Sequence, residues 1–490
     1  MKYSMLTMSD VHSTKAKERH AQVPRKPLTM DDIRESLLSK YIKGLYKDGK
    51  MRVTTPLWEK IPSGHWKGRR CFVIGGGTSL KDFDFNKLKG ELVITVNRSF
   101  ESVPFSVINI CQDARLWGWY ETKELGEEAR TKFYAYEGYK TWLNVQAFPF
   151  PEDIYQILPT HPDDFKWEKP TLQGGIPMYG NSGLNAITVA LCLGANPIYL
   201  LGFDMYGKDG KTANFHSGYP DTNNEKVYKE NFLPDFKELS WRIKSAKVIN
   251  LNPNSAVRYF DFDTFDNLPK IKKPQLVSFY TKGTGYEVEK ERLRITARNF
   301  GYVVDFYEQE NKGSWRKNIH DRIRILRHFL NKYSDDILYI DCDAEMAQYP
   351  ILFDNWDKGD LGIVKIDRQK YFGANWNHQW KEQYEYLGGT MYFKNNQRIR
   401  NLLDLWERLD IPMDKPLSQL TLFYALEELK KENKLDVFEL PPNYTQIFDT
   451  MADCGEPIIE HFQASRRGLI CIEKNAKGEH QLIKELNGKG

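Results

Sequence analysis

A chain of 490 residues is too long for one ordinary hydrophobic core, so two folded units with an additional arm are expected. Its 41% hydrophobic residues are ample for globular cores, while 28% charged residues exclude a membrane-embedded body. The net charge of +4 conceals an asymmetry, because residues 1–70 carry 16 Lys or Arg against 7 Asp or Glu and the rest of the chain is net acidic.

Residues 1–67 read as a basic, partly helical arm. Ile33, Leu37, Leu38, Ile42 and Leu45 share one face of a helix over 31–46. Such an arm suits a polyanion, duplex DNA or an anionic membrane, through counterion displacement; the plainer reading is a solvated tail. The apolar strand 71–74 runs into Gly75-Gly76-Gly77, with Thr78 and Ser79 set to cap a following helix, and a second strand covers 92–96. Free amides at a helix start would receive a phosphate; the alternative is a tight turn without a ligand. A full GxGxxG and the lysine of a P-loop are both missing, which argues against a dinucleotide and against a kinase or pyrophosphatase. Trp66, Trp117 and Trp119 are offered either for stacking on bases or for ordinary packing.

Residues 182–193 form a buried Ala- and Leu-rich helix, and the strand 197–201 leads to Gly202-Phe203-Asp204. Strands alternating with helices imply a parallel sheet covered on both faces. The apolar stretch 186–203 is broken by Gly194, Asn196, Pro197 and Gly202, so no membrane span is expected. Residues 260–274, with two prolines and several lysines, mark a junction. A second α/β pattern follows: strand 275–280, helix 287–299, strand 302–306, one helix over 317–333, and strand 337–340 ending in Asp341-Cys342-Asp343. The expected fold class is therefore α/β, with two domains at 68–270 and 275–490. Six cysteines without a CxxC spacing point to a reducing, cytoplasmic setting and no zinc site.

Ligands of open α/β sheets collect at the carboxyl ends of strands, and side chains two apart on an extended chain point the same way. Asp341 and Asp343 meet both conditions and suit a hard divalent cation such as Mn²⁺ or Mg²⁺. Such a cation neutralises charge on a departing diphosphate, which points to transfer from a nucleotide sugar.

These residues resemble those of a GT-A-type glycosyltransferase. The resemblance covers about 275–470: Ser278 to Thr281, Gly313-Ser314-Trp315, Leu338 to Asp343, Tyr349-Pro350, Leu387 to Phe393 and Leu440 to Tyr444. It implies that Tyr280, Thr281 and Tyr286 line the donor pocket, that Lys317 and Arg322 face phosphates, and that Gly388, Gly389 and Thr390 form a turn against donor or acceptor. It also implies that His461 completes the metal shell with Asp341 and Asp343; read alone, His461 is as well a structural histidine. Relatives carry an Asp-Gln pair where Ser418-Gln419 stand, which leaves the catalytic base, and inversion or retention, open.

Residues 68–257 resemble a Rossmann-like group that includes bacterial sialyltransferases and phage proteins, through 73–80, Val96-Asn97-Arg98, Asn181-Ser182-Gly183, 200–204, Phe215-His216 and 252–255. That implies a second nucleotide or acceptor site at Gly76, Thr78, Ser79, Asn97, Ser182, Gly183 and Asp204, with His216 as general base. The function expected is metal-dependent transfer from a nucleoside-diphosphate sugar to a hydroxyl. The first acceptor is a hydroxymethylated base of phage DNA, in the host cytoplasm; the alternatives are a surface glycan or lipooligosaccharide precursor, or a non-catalytic nucleotide- or DNA-binding protein.

Overall fold

In the computed structural model, the described residues are 55–143, 153–208, 211–216, 218–220, 225–312, 315–372, 382–410, 418–448, 450–462, 469–474 and 480–484. The helix expected over 31–46 lies outside them, as does most of the basic arm. The chain divides into two compact units between Pro269 and Lys270.

The first unit is built on eight strands: β1 Cys71–Ile74, β2 Leu92–Val96, β3 Ile108–Cys111, β4 Tyr139–Leu143, β5 Ile154–Ile157, β6 Ile198–Leu201, β7 Val248–Asn250 and β8 Asp261–Phe262. Their order is β8-β7-β6-β1-β2-β3-β4-β5, and every pairing is parallel. Strands β1, β2, β3 and β6 are buried at every position, as continuous apolar runs in a sheet covered on both faces should be. The helices are α1 Ala114–Glu121, α2 Glu127–Ala135, α3 Ser182–Cys192 and α4 Leu233–Arg242. Helix α3 is buried throughout, starts where the Asn181 side chain accepts from the Gly183 amide, and is followed by Gly194 at φ +82°.

One expectation fails in this unit. After the glycine run there is no α-helix, only the 3₁₀ turns Thr78–Leu80 and Phe85–Leu88. Asp84 caps the start of the second, accepting from the Asn86 amide. Trp66 and Trp117 are fully buried and Trp119 is 4% exposed, so all three pack in the core and none is offered to a base. Leu57 and Ile61 are likewise fully buried, so the chain is part of this core well before residue 68.

The second unit has a six-stranded mixed sheet made from β9 Gln275–Thr281, β10 Val304–Gln309, β11 Ile337–Ile340, β13 Leu361–Asp367, β14 Tyr384–Phe393 and β15 Val437–Leu440. Their order is β10-β9-β11-β14-β13-β15. A small sheet joins β12 Ala344–Met346, β17 Ile459–His461 and β16 Gln446–Ile447. The helices are α5 Tyr286–Arg298, α6 Trp315–His320, α7 Arg322–Lys332, α8 Gln397–Asp410 and α9 Ser418–Lys431. Ile323, Leu326 and Leu330 of α7 recur at helical spacing and join Leu402, Trp406 and Leu426 in the core.

The single helix expected over 317–333 is instead two, α6 and α7, broken at Asp321. Asp321 stays in the αR region and carries ion pairs to Lys312 and Arg324. Among the described residues no helix is long and apolar enough to cross a membrane.

Candidate metal centre

Strand β11 is fully buried, and its chain emerges at Asp341 where the sheet ends. The Asp341 amide donates to the Gly389 carbonyl at 2.8 Å, which ties the strand end to β14. Asp343 precedes β12, and its carbonyl accepts from the Phe462 amide at 3.1 Å. Strand β17 pairs antiparallel with β12, setting His461 opposite Ala344. One ligand atom from each of Asp341, Asp343 and His461 comes together, all within 4.8 Å of one another. Residues 341 and 461 thus meet through strand pairing, which no local pattern encodes.

The glycines of 388–390 make this convergence possible. Val364 pairs with Leu387 and Ile363 with Met391, so residues 388–390 bulge on the β13 side of β14, while Thr390 stays paired with Ile340 on the β11 side. Bulges re-aim side chains at the rim of a sheet. A Cβ on Gly389 would lie 2.7 Å from Cε1 and 2.9 Å from Nδ1 of His461, and one on Gly388 would lie 2.8 Å from Nη1 of Arg322. The expected turn against donor or acceptor is therefore a bulge within a strand. Its glycines make room for a histidine and an arginine of this chain.

Burial and the Arg322 charge hold the His461 pKa down to about 4 against the opposing pull of Asp341, so the ring is neutral near pH 7. Its Nε2 meets the Thr390 hydroxyl at 2.9 Å. A neutral imidazole held through one nitrogen and two carboxylates form a donor set that fits a divalent cation. Arg322 is almost wholly buried; its Nη2 lies 3.1 Å from Asp341 Oδ1 and its Nη1 donates to the Gly388 carbonyl. The Tyr339 hydroxyl donates to the same Asp341 oxygen.

Of the other residues expected to line a donor pocket, Tyr280 and Thr281 lie at the end of β9 with their hydroxyls engaged. The Tyr280 hydroxyl donates to Glu308, and Lys290 Nζ sits 3.6 Å above its ring, so this face is taken by a cation. Thr281 Oγ1 accepts from Gln309 Nε2 at 2.8 Å. Tyr286 opens α5, and the Lys317 side chain lies outside the described residues. Beside Ser418-Gln419 a neighbouring strand brings in the carboxylate of Glu385. Gln419 Nε2 donates to Glu385 Oε1 at 2.6 Å, and Arg368 Nε lies 2.9 Å from Glu385 Oε2. Nothing in the sequence marked Glu385.

In the first unit the strand order reverses between β1 and β6, where open α/β sheets bind ligands. Here Asp204 fills that place. Its carboxylate accepts from the Ser79 amide at 2.8 Å, the Ser79 hydroxyl at 2.6 Å and Asn252 Nδ2 at 2.8 Å, with the Thr78 hydroxyl at 3.4 Å. A Cβ on Gly77 would lie 2.5 Å from Asp204 Cγ. The amide read as a phosphate donor is thus bound to a protein carboxylate. Asn97 adopts φ +54°, a left-handed conformation asparagine tolerates. Ser182 Oγ accepts from the Gln112 amide, and Gly183 donates to its cap, so the start of α3 is also engaged.

His216 is brought to this edge, its Nε2 3.6 Å from where a Gly76 Cβ would sit. Its Nδ1 accepts from the Gly218 amide at 3.1 Å. A backbone amide only donates, so the neutral ring carries its proton on Nε2, which has no hydrogen-bond partner among the described residues. In this arrangement Nε2 is a donor rather than the base expected from sequence. Burial, reinforced by Arg98, pushes the His216 pKa down to about 3, and burial takes His65 down to about 4.

These two histidines predict acid sensitivity. Both titrate near 6.5 when unfolded, so above that pH neither state gains a proton and stability is unaffected. Below it the unfolded chain binds protons that the native rings refuse, so stability falls with pH from about 6.5 toward 4. The slope is at most about 1.4 kcal/mol per pH unit for each ring. Urea midpoints for the first unit are expected to fall between pH 7 and 4.5, and less steeply in His216→Gln.

No family model matches this chain, and no curated protein does. Among solved structures it is similar to a crystal structure of a glycosyltransferase involved in the glycosylation of the major capsid of PBCV-1. The identity is 15%, the TM-score 0.30, and the match covers 40% of this chain and 96% of that one. It is also similar to mouse xyloside xylosyltransferase 1 in its apo form, at 11% identity and a TM-score of 0.27, over 39% of this chain and 98% of that one.

Proposed function

We propose that the second unit transfers a sugar from a nucleoside-diphosphate sugar to a hydroxyl acceptor, with a divalent cation, Mn²⁺ or Mg²⁺, held by Asp341, Asp343 and His461. The observation that carries this reading is the convergence of those three side chains beside a strand end, with a glycine bulge that leaves room for the imidazole. When bound, the cation supplies Lewis-acid stabilisation of the departing diphosphate. Arg322 and Tyr339 fix the Asp341 carboxylate from behind, so the ligand is oriented before the donor arrives. Thr390 does the same for His461 by engaging one ring nitrogen.

For the acceptor we keep a hydroxymethylated base in duplex DNA as the reading to test first, on the strength of the basic residues 1–54. Burial of Trp66, Trp117 and Trp119 removes the stacking platform once offered for it. The first unit would then hold the acceptor or a second nucleotide at its strand-end edge, with His216 Nε2 donating to a ligand oxygen.

Nucleoside diphosphate release is to be measured with a panel of nucleotide sugars, with and without Mn²⁺, in the presence of hydroxymethylated duplex DNA or of free glycans. Metal-dependent release with one donor is expected. Stimulation by the DNA, weakened in a chain starting at residue 55, supports the DNA acceptor; stimulation by glycans alone moves the acceptor to a glycan. Donor binding without release under any condition would leave a non-catalytic binding protein.

A further inference from the structure

The small sheet that carries His461 has a second face. Side chains alternate along a strand, so Ile447, His461 and Ala344 lie on one side of it and Gln446, Glu460 and Glu345 on the other. Glu345 on β12 stands directly opposite Glu460 on β17 in the antiparallel pair, and Gln446 on β16 is the register partner of Glu460 from the other side. Three side chains that end in oxygen thus form one row across three strands, with the Cβ atoms of neighbours ~5 Å apart.

Like charges directly opposite one another in a sheet are destabilising. This pair is not relieved from within the chain, since among the described residues neither carboxylate has a hydrogen bond or an ion pair. The charge of Arg292 on α5 reaches both, but its guanidinium is held elsewhere. Its Nη1 lies 2.7 Å from Glu289 Oε2, and its central carbon sits 4.3 Å from the centre of the Phe462 ring. Gln446 also lacks a donor. It is 4% exposed, and its Oε1 is buried with no hydrogen-bond partner among the described residues. A buried amide oxygen is costly to leave in that state, and its cross-strand neighbour is a carboxylate that cannot donate to it. Three acceptors therefore share one face with no donor between them.

We propose that Glu345, Glu460 and Oε1 of Gln446 form a second cation site, for Ca²⁺, on the face of the small sheet opposite to His461. Two carboxylates and an amide oxygen are a hard, all-oxygen donor set, unlike the first centre with its imidazole. Ca²⁺ takes about six to eight oxygens in flexible geometry, so ligands from three strands with water in the remaining positions suit it. Mg²⁺, which demands a near-ideal octahedron, is served less well. Glu345 and Glu460 are partly exposed, which leaves the site open to the ion and its water. Once bound, the ion ties β12, β17 and β16 together and removes the repulsion between the two glutamates. Asp343 is two residues from Glu345 and His461 is next to Glu460, so the same ion stiffens the strands beside two of the three groups of the metal centre. The site does not depend on the transfer reaction.

The test titrates Ca²⁺ into the full chain carrying Asp343→Ala, which removes the first centre, and follows binding by calorimetry and stability by thermal unfolding. One Ca²⁺ per chain is expected, raising the melting temperature of the second unit by about 5 °C at ~100-fold excess over the dissociation constant. Adding Glu345→Gln or Glu460→Gln removes one of the two charges and should weaken Ca²⁺ binding by at least ~10-fold, and Gln446→Leu by less. In the chain that keeps Asp343, the same glutamine substitutions should remove one Ca²⁺ from the titration. Without Ca²⁺ the effect on stability reverses: each glutamine relieves the like-charge contact, so these variants should melt no lower than the chain they are made in. Absence of Ca²⁺ binding to folded Asp343→Ala overturns the proposal, and so does affinity that the glutamine variants leave within twofold. A glutamine variant that melts well below its parent without Ca²⁺ overturns it too, because the carboxylates then serve a partner within the chain. A protein that transfers no sugar yet binds Ca²⁺ in this way keeps the site and loses only the reaction proposed above.

Discussion

Asp343→Ala is expected to abolish measurable Mn²⁺ binding and to lower sugar transfer by at least ~1,000-fold while the chain stays folded. The size follows from what weaker changes do: losing a group that merely orients a metal ligand costs ~10–100-fold in affinity or activity, and a ligand itself counts for more. Asp343 is 8% exposed at the edge of the small sheet, and its contribution to strand pairing is through its carbonyl, which alanine keeps. Isothermal titration with Mn²⁺, alongside the diphosphate-release assay, checks both halves. Retained turnover in a protein that no longer binds Mn²⁺ would dissociate the carboxylates from the chemistry and return the chain to the reading of a binding protein.

Gly389→Ala is expected to have the second largest effect, although it removes no functional group. The new methyl would overlap Cε1 and Nδ1 of His461, which is 2% exposed, paired through its strand to Ala344 and engaged by Thr390. The ring has little freedom to yield, so overpacking should cost about 1–3 kcal/mol of stability. Displacing one of three ligands should lower Mn²⁺ affinity by ~10–100-fold. Gly388→Ala is the informative contrast. Its methyl would meet the end of a long arginine side chain, so it should loosen Asp341 without displacing a ligand, with a smaller loss of affinity. Equal effects at the two positions would mean that the bulge as a whole, rather than the His461 contact, shapes the site.

Much of the architecture was legible because it is local. Apolar runs such as 71–74, 92–96 and 337–340 became buried strands, and the two α/β patterns became two separate sheets. Asp341 and Asp343 stood out because the position of a carboxylate pair just beyond a buried strand is itself a local property. His461 came through resemblance, and its geometry arises from pairing between β12 and β17.

Gly75-Gly76-Gly77 shows where local reading ends. Its unhindered amides suggested a phosphate, but whether an amide is free depends on what the rest of the chain brings to it. Asp204, 125 residues beyond Ser79, takes the Ser79 amide and hydroxyl. The roles of histidines follow the same logic. His216 and His320 are alike in sequence, yet a backbone amide on one Nδ1 and a carboxylate on the other place their protons on opposite ring nitrogens.

By itself, then, the sequence determined several of the strands and helices, that the first sheet is covered, and where a carboxylate pair meets a strand end. These depend on side-chain periodicity and on neighbours a few residues apart. The tertiary structure alone decided that the bulge at 388–390 admits His461, that Arg322 holds Asp341, that Glu385 stands beside Gln419, and that His320 faces Asp410. Each of these joins residues from 19 to 90 positions apart, through packing and hydrogen bonds that exist only once the strands and helices have been brought together.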